Sequence, residues 1–230
     1  FYSTLGHGAK IINLFEFRPV HVAYTENHVD EPEMYAEVLK SFREMGVFED
    51  LTQAGQLRQA QTGLWFSETG DIWGDNEGSF GAAKRGLYLA IRHSQTPLDF
   101  LIEPDAIDGT LNPYKVLYLA DKHVSSPAST KIAAWVEAGG TLFATAGAGM
   151  FDELNRPNAT LRKLMGIDPA PLEIPEGKQI LWTKQDLPFT DPIGKAGDLP
   201  VVGVRSKFKL AGAEAGDLKF EDGTPAVAHR

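Results

Sequence analysis

KVLYLADKHVSSPASTKIAAWVEAGGTLFATAGAGMFDELN, residues 115–155, is the stretch from which the fold of the whole chain is read. Val116–Leu119 is an apolar run too short for a helix and bounded by polar residues, which predicts a buried strand. Ser126-Pro127 supplies an N-cap and a first-turn proline, and Ile132, Trp135 and Val136 then share one helical face. Gly139-Gly140 ends that helix, and Thr141–Thr145 reads as a second strand running into the turn Ala146-Gly147-Ala148-Gly149. Strand, helix, strand at this spacing predicts a βαβ crossover with parallel strands. The glycine turn leads to Met150–Glu153, read as a helix start. Such a turn is either an anion or ligand cradle or a tight turn needing small residues to pack; it carries no Ser, Cys or Lys.

Outward from this core, Thr62–Ser67 and Asp99–Ile102 read as further strands, with a helix over Phe80–Gln95 between them and a short helix over Asn158–Met165. Glu68–Gly78, ETGDIWGDNEG, reads as an acidic loop at a strand's C-terminal edge, where open α/β sheets bind ligands. Its acids and Trp73 fit either a sugar or cation site or a solvated loop with Ile72 and Trp73 tucked against a neighbour or subunit. Glu103–Asn112 reads as a turn-rich link. After Asp168 three prolines break any helix, and the short runs 179–182, 201–204, 208–210, 218–220 and 226–228 predict an antiparallel β appendage.

At the other end, Phe1–Lys10 reads as the close of a helix, Ile11–Arg18 as a strand, and Val20–Val29 as a loop carrying His21, Glu26 and His28. A helix follows from Pro32 to Gly46 with Tyr35, Val38, Leu39, Phe42 and Met45 on one face, then a connecting helix over Val47–Arg58. One βα unit cannot cover both faces of its own strand, so this segment is expected to belong to something larger.

Bulk properties set the bounds. The 230 residues carry 22 basic against 31 acidic side chains, a net charge of −9, which argues against nucleic acid or an anionic membrane as partner. Zero cysteines exclude disulfides and thiolate metal sites.

The central stretch resembles the middle domain of family 42 β-galactosidases, the β-galactosidase trimerisation domain, a member of the class I glutamine amidotransferase-like superfamily. Gly147-Ala148-Gly149 falls where amidotransferases carry Cys-x-Gly, so that chemistry is excluded. GAKIINLFEFR, residues 8–18, resembles the last strand of the TIM barrel in the same family, and FEDGTPAVAHR its Asp-Gly-x-Pro-Ala-Val hairpin. The resemblance implies an α/β chain: a TIM-barrel remnant (1–58), a flavodoxin-like doubly wound parallel sheet (59–168) and a truncated β-rich extension (169–230). It implies a fragment of a glycoside hydrolase acting on β-linked galactosides, with a carbohydrate substrate and a homotrimeric parent. No cofactor and no metal are implied, and no catalytic residue, because the two catalytic carboxylates belong to absent strands. Carried over residue by residue, Phe17, Arg18, Glu26 and His28 become substrate-binding positions at the end of the barrel strand. The reading from another class is a free-standing small-molecule-binding α/β domain using the loop edges at Glu68–Asp75 and Gly147–Gly149.

Overall fold

The computed structural model describes residues 1–14, 32–75, 78–168, 171–173, 179–182, 199–200 and 204–230, which fall into two compact units, Phe1–Gln59 and Ala60–Arg230.

The first unit contains α1 (Tyr2–Gly6), α2 (Pro32–Val47) and α3 (Glu49–Ala54). Pro32 sits in the first turn of α2, where its missing N–H costs nothing. The Lys10 ammonium binds the carbonyls of Thr52, Gln53 and Gly55, and Gln53 returns a 2.8 Å bond to the Lys10 carbonyl. The expected apolar face of α2 exists, yet none of the described residues of the three helices is buried. Leu39 and Phe42 remain 50% and 41% exposed. The expected strand at Ile11–Arg18 is not formed over Ile11–Leu14, and residues 15–18 lie outside the described residues. A strand needs a ladder partner for its N–H and C=O groups, and this unit has no second strand among its described residues. The connecting helix is shorter than expected because the chain turns extended at Gly55.

The second unit is built on a four-stranded sheet: β1 (Thr62–Trp65), β2 (Asp99–Leu101), β3 (Val116–Leu119) and β4 (Thr141–Ala144). The strands lie in the order β2-β1-β3-β4 and every pair is parallel, with Leu117 opposite Leu142 as the crossover pattern predicts. Between them come α4 (Glu68–Ile72), α5 (Gly78–His93), α6 (Glu103–Asp108) and α7 (Ser126–Glu137), with α8 (Ala159–Met165) following β4.

Register assigns the faces. Trp65, Leu101, Leu117, Leu119, Leu142 and Ala144 point to the side covered by α6, α7 and α8, where Ala106, Ile132, Trp135 and Leu161 complete the core. Leu117, Leu119, Ile132 and Leu161 are fully buried, each contributing about 1.5–3 kcal/mol. Gly140 lies flat on Trp135: a Cβ there would come within 2.3 Å of the indole ring. The opposite face presents the row Phe100, Leu64, Tyr118 and Phe143, with the Tyr88 ring of α5 stacked on Phe100.

Three stretches differ from expectation. Glu68–Ile72 is a helical turn, since Ser67 caps it with its Oγ accepting from the Gly70 amide at 2.9 Å. Glu103–Asp108 is a helix as well: Pro104 suits its first turn, Asp105 accepts the Ile102 amide, and left-handed Gly109 closes it. Met150–Glu153 is not a helix. The Asp152 carboxylate accepts the amides of Leu154 and Arg156, and such local bonds compete with helix formation.

Beyond α8 the chain forms short antiparallel pairs: β5 (Ile167–Asp168) with β10 (Lys209–Leu210), and β6 (Leu172–Glu173) with β9 (Arg205–Ser206). β7 (Gln179–Trp182) lies between β8 (Leu199–Pro200) and β12 (Leu218–Phe220), while β11 (Glu214–Ala215) pairs with β13 (Ala228–His229). Of the expected strand at 201–204, residues 201–203 lie outside the described residues.

Candidate functional site

In open α/β sheets ligands settle beyond the strand C-termini, in the crevice where strand order reverses. Here the reversal falls between β1 and β3, and the chain's own side chains fill it. Ser67 follows β1 and Asp121 follows β3; both are fully buried, and the Ser67 amide donates to Asp121 Oδ2 at 3.3 Å. From α5, Lys84 sends its ammonium to 2.5 Å from Asp121 Oδ1 and 4.4 Å from the centre of the Phe66 ring. Burial pushes the Asp121 carboxyl up to about 6. The Lys84 charge and the Ser67 amide hold it down from going further, while nearby Asp75 adds to the rise.

Glu103, the first residue of α6, closes the same region just beyond β2. Its carboxylate accepts Ser67 Oγ at 2.6 Å and the Glu68 amide at 2.7 Å, so the first turn of α4 is capped from 36 residues away. Gly70 lies against two acids, and a Cβ there would stand 3.0 Å from Asp75 Oδ2 and 3.2 Å from Asp121 Oδ1.

Beside them Asp75, His123 and Asn155 form a chain. Asp75 Oδ2 accepts the His123 amide at 2.7 Å, and both carboxylate oxygens lie 3.0 Å from His123 Nδ1. Nε2 lies 2.9 Å from Asn155 Oδ1, and Asn155 adopts a left-handed φ of 56° to reach it. Trp73 and Phe151 stack on the imidazole at 5.3 and 5.5 Å. An acid-oriented imidazole is general-base geometry, but this ring is only 3% exposed and both its nitrogens are engaged. It fastens the turn at Trp73–Asp75 and the loop at Asp152–Asn158 to the end of β3.

The acids singled out in Glu68–Asp75 separate: Glu68 and Asp71 face solvent, while Asp75 is buried on His123. Among the described residues no three His, Cys, Asp or Glu side chains converge on a possible metal position. Of Ile72 and Trp73, Ile72 is 86% exposed, whereas Trp73 lies against its neighbours, stacked on His123 and donating its indole N–H to the Glu153 carbonyl. Glu153 holds the start of α7 through the Ser126 amide at 2.6 Å, which keeps its carboxyl below the usual range. The turn at Gly147–Gly149 is filled: Cβ atoms there would meet Leu172 at 2.7 Å and Leu161 at 2.6 Å. Phe17, Arg18, Glu26 and His28 lie outside the described residues.

Lys84, Asp121, His123 and Glu103 escaped the sequence reading. A signal was present for two of them: Lys84 interrupts the face that Gly81, Tyr88 and Ile91 present from α5, and Asp121 directly follows an apolar strand.

No protein-family model and no curated protein matches this chain. Solved structures do. Gan42B, a GH42 β-galactosidase from G. stearothermophilus, overlays 93% of the chain at 17% identity and a TM-score of 0.68. The cold-adapted β-galactosidase from Rahnella sp. R3 overlays 88% at 18% identity and 0.66. The β-galactosidase from the psychrophilic Marinomonas ef1 overlays 100% at 14% identity and 0.65. The chain spans only 33%, 31% and 36% of those proteins respectively. At identities this low the overlays show a shared fold alone.

Proposed function

We propose that this chain is a portion of a glycoside hydrolase of the family 42 β-galactosidase type and carries no complete active site. The observation that carries the reading is the overlay: nearly the whole chain superposes on about a third of each β-galactosidase. In this reading residues 1–58 contribute the last βα unit of a TIM barrel and its connecting helix, which accounts for helices with no buried residue of their own. Residues 59–168 are the flavodoxin-like, glutamine amidotransferase-like trimerisation domain, and residues 169–230 are its β-rich extension. The filled crevice supports assembly over catalysis in this domain, because Lys84 and Asp121 occupy the position a ligand would take.

Retaining glycosidases require two carboxylates about 5–5.5 Å apart with the sugar between them. Glu103 caps α4, Asp75 holds His123, Asp121 pairs with Lys84 and Asp152 binds Arg156, so each of these acids already has a structural partner. The dyad is assigned to the parent's barrel, with Phe17, Arg18, Glu26 and His28 as sugar-contacting positions and a homotrimer as the assembled state. The test is hydrolysis of an aryl β-galactoside by the 230-residue chain and by the restored full-length parent, with sedimentation of both. The reading expects no turnover from the chain and turnover from a trimeric parent. Turnover by the chain itself, or a monomeric inactive parent, refutes it.

A further inference from the structure

Next to the filled crevice the surface opens into a cleft of about 360 Å³ bounded by α4, α5 and the β1–β2 edge. Its walls are aromatic. Phe100, on the edge strand, is 52% exposed and stacks on Tyr88 with ring centres 5.7 Å apart and planes 17° from parallel. Phe66 lines the inner end beneath the Lys84 ammonium, which Asp121 fixes in place. Asp71 and Arg85 complete the lining. The volume lies within the range of small-molecule sites, which are mostly apolar with a few placed polar groups.

The lining narrows what fits. Flat apolar walls call for a ligand with a flat apolar face. A carboxylate and a guanidinium in one cleft call for a neutral ligand that both donates and accepts hydrogen bonds. With Lys84 already paired to Asp121, an anion would gain Arg85 but meet Asp71 and a chain of net charge −9, and a cation would gain Asp71 but meet Arg85. A pyranose meets both demands: one face of the ring is C–H, and each hydroxyl on its rim is donor and acceptor. We infer that this cleft is a non-catalytic binding site for a neutral sugar of one or two pyranose units. Phe100 and Tyr88 form the platform on which a ring lies, Arg85 donates to adjacent hydroxyl oxygens, and Asp71 accepts from a hydroxyl. The site goes beyond the hydrolase reading and needs no carboxylate dyad.

The experiment is saturation-transfer NMR and calorimetric titration of the 230-residue chain with methyl β-galactopyranoside and with lactose, with benzoate as an anionic aromatic comparator. Saturable sugar binding is expected, weakened about tenfold by Phe100→Ala and by Arg85→Ala and unchanged by Leu89→Ala, an exposed α5 residue outside the cleft lining. Circular dichroism confirms that each variant is folded. Absence of saturable sugar binding overturns the inference, as does benzoate binding tighter than either sugar, or sugar binding indifferent to both cleft variants. The hydrolysis assay on the full-length parent stands apart from this titration, so an inactive parent would leave the cleft assignment intact.

Discussion

Replacing Lys84 with Met tests whether the Lys84–Asp121 pair organises the sheet's C-terminal edge. Asp121 is fully buried and the Lys84 side chain is 8% exposed, so neither charge is shared with water. Removing one member of a buried pair typically costs about 3–5 kcal/mol, because the remaining charge has no counterpart. Asp121 adds a pH signature. Its folded carboxyl titrates at about 6 against an ordinary 3.8, so the folded protein holds this proton more tightly than the unfolded one. Its contribution to stability is therefore greatest below pH 4 and falls as pH rises toward 6, by about 3 kcal/mol at 1.36 kcal/mol per pKa unit. Lys84→Met removes the charge and hydrogen bond that hold this carboxyl down, so in the variant the proton is retained to higher pH. At pH 5 Asp121 is then neutral and the loss is small, about 1 kcal/mol of hydrogen bonding; at pH 8 the full penalty returns. Urea unfolding followed by tryptophan fluorescence reads this directly, since all four tryptophans lie beyond Ala60. Lys84→Met with Asp121→Asn should regain most of the pH 8 loss. A penalty equal at pH 5 and pH 8 would refute the assignment of a buried charge to Asp121.

Ser67→Ala removes both the α4 cap and a hydrogen bond to Glu103, and should cost about 1–2 kcal/mol in the same unfolding assay. Gly70→Ala ought to gain about 1 kcal/mol from helix propensity but drives a methyl against Ser67, Asp75 and Asp121. Overpacking of that kind costs about 1–3 kcal/mol, so net destabilisation is expected, and a higher melting temperature would contradict the packing. Residues 1–59 expressed separately should melt without a cooperative transition in circular dichroism, since none of the described residues there is buried.

The parallel sheet was legible because Val116–Leu119 and Thr141–Ala144 are apolar runs separated by a helix with clear start and stop signals. The two short helices at Glu68 and Glu103 were not. Each is five or six residues, too short to show periodicity, and α4 is held by Glu103, a carboxylate brought near only by folding. The candidate site escaped for the same reason: Lys84, Asp121, Asp75, His123 and Asn155 are scattered between positions 75 and 155, and their pairing exists only after β1 and β3 lie side by side. The loop at Met150–Glu153 was misread because Asp152 looks like a helix-start residue but bonds to amides just downstream instead.

The long reach from Glu103 to the start of α4 has a kinetic consequence. A helix of five residues has no independent stability in water, so α4 forms only once β2 and the first turn of α6 have docked beside β1. Its Glu68 and Thr69 amides, bonded to Glu103, are held only by that long-range contact although Glu68 itself faces solvent. In native-state hydrogen exchange these amides should open together with the Ser67 amide held by Asp121, as one cooperative patch at lower free energy than the β1–β3 ladder. On that expectation the sheet's C-terminal rim opens and closes as one unit, and its amides report whether the strands beneath are in place.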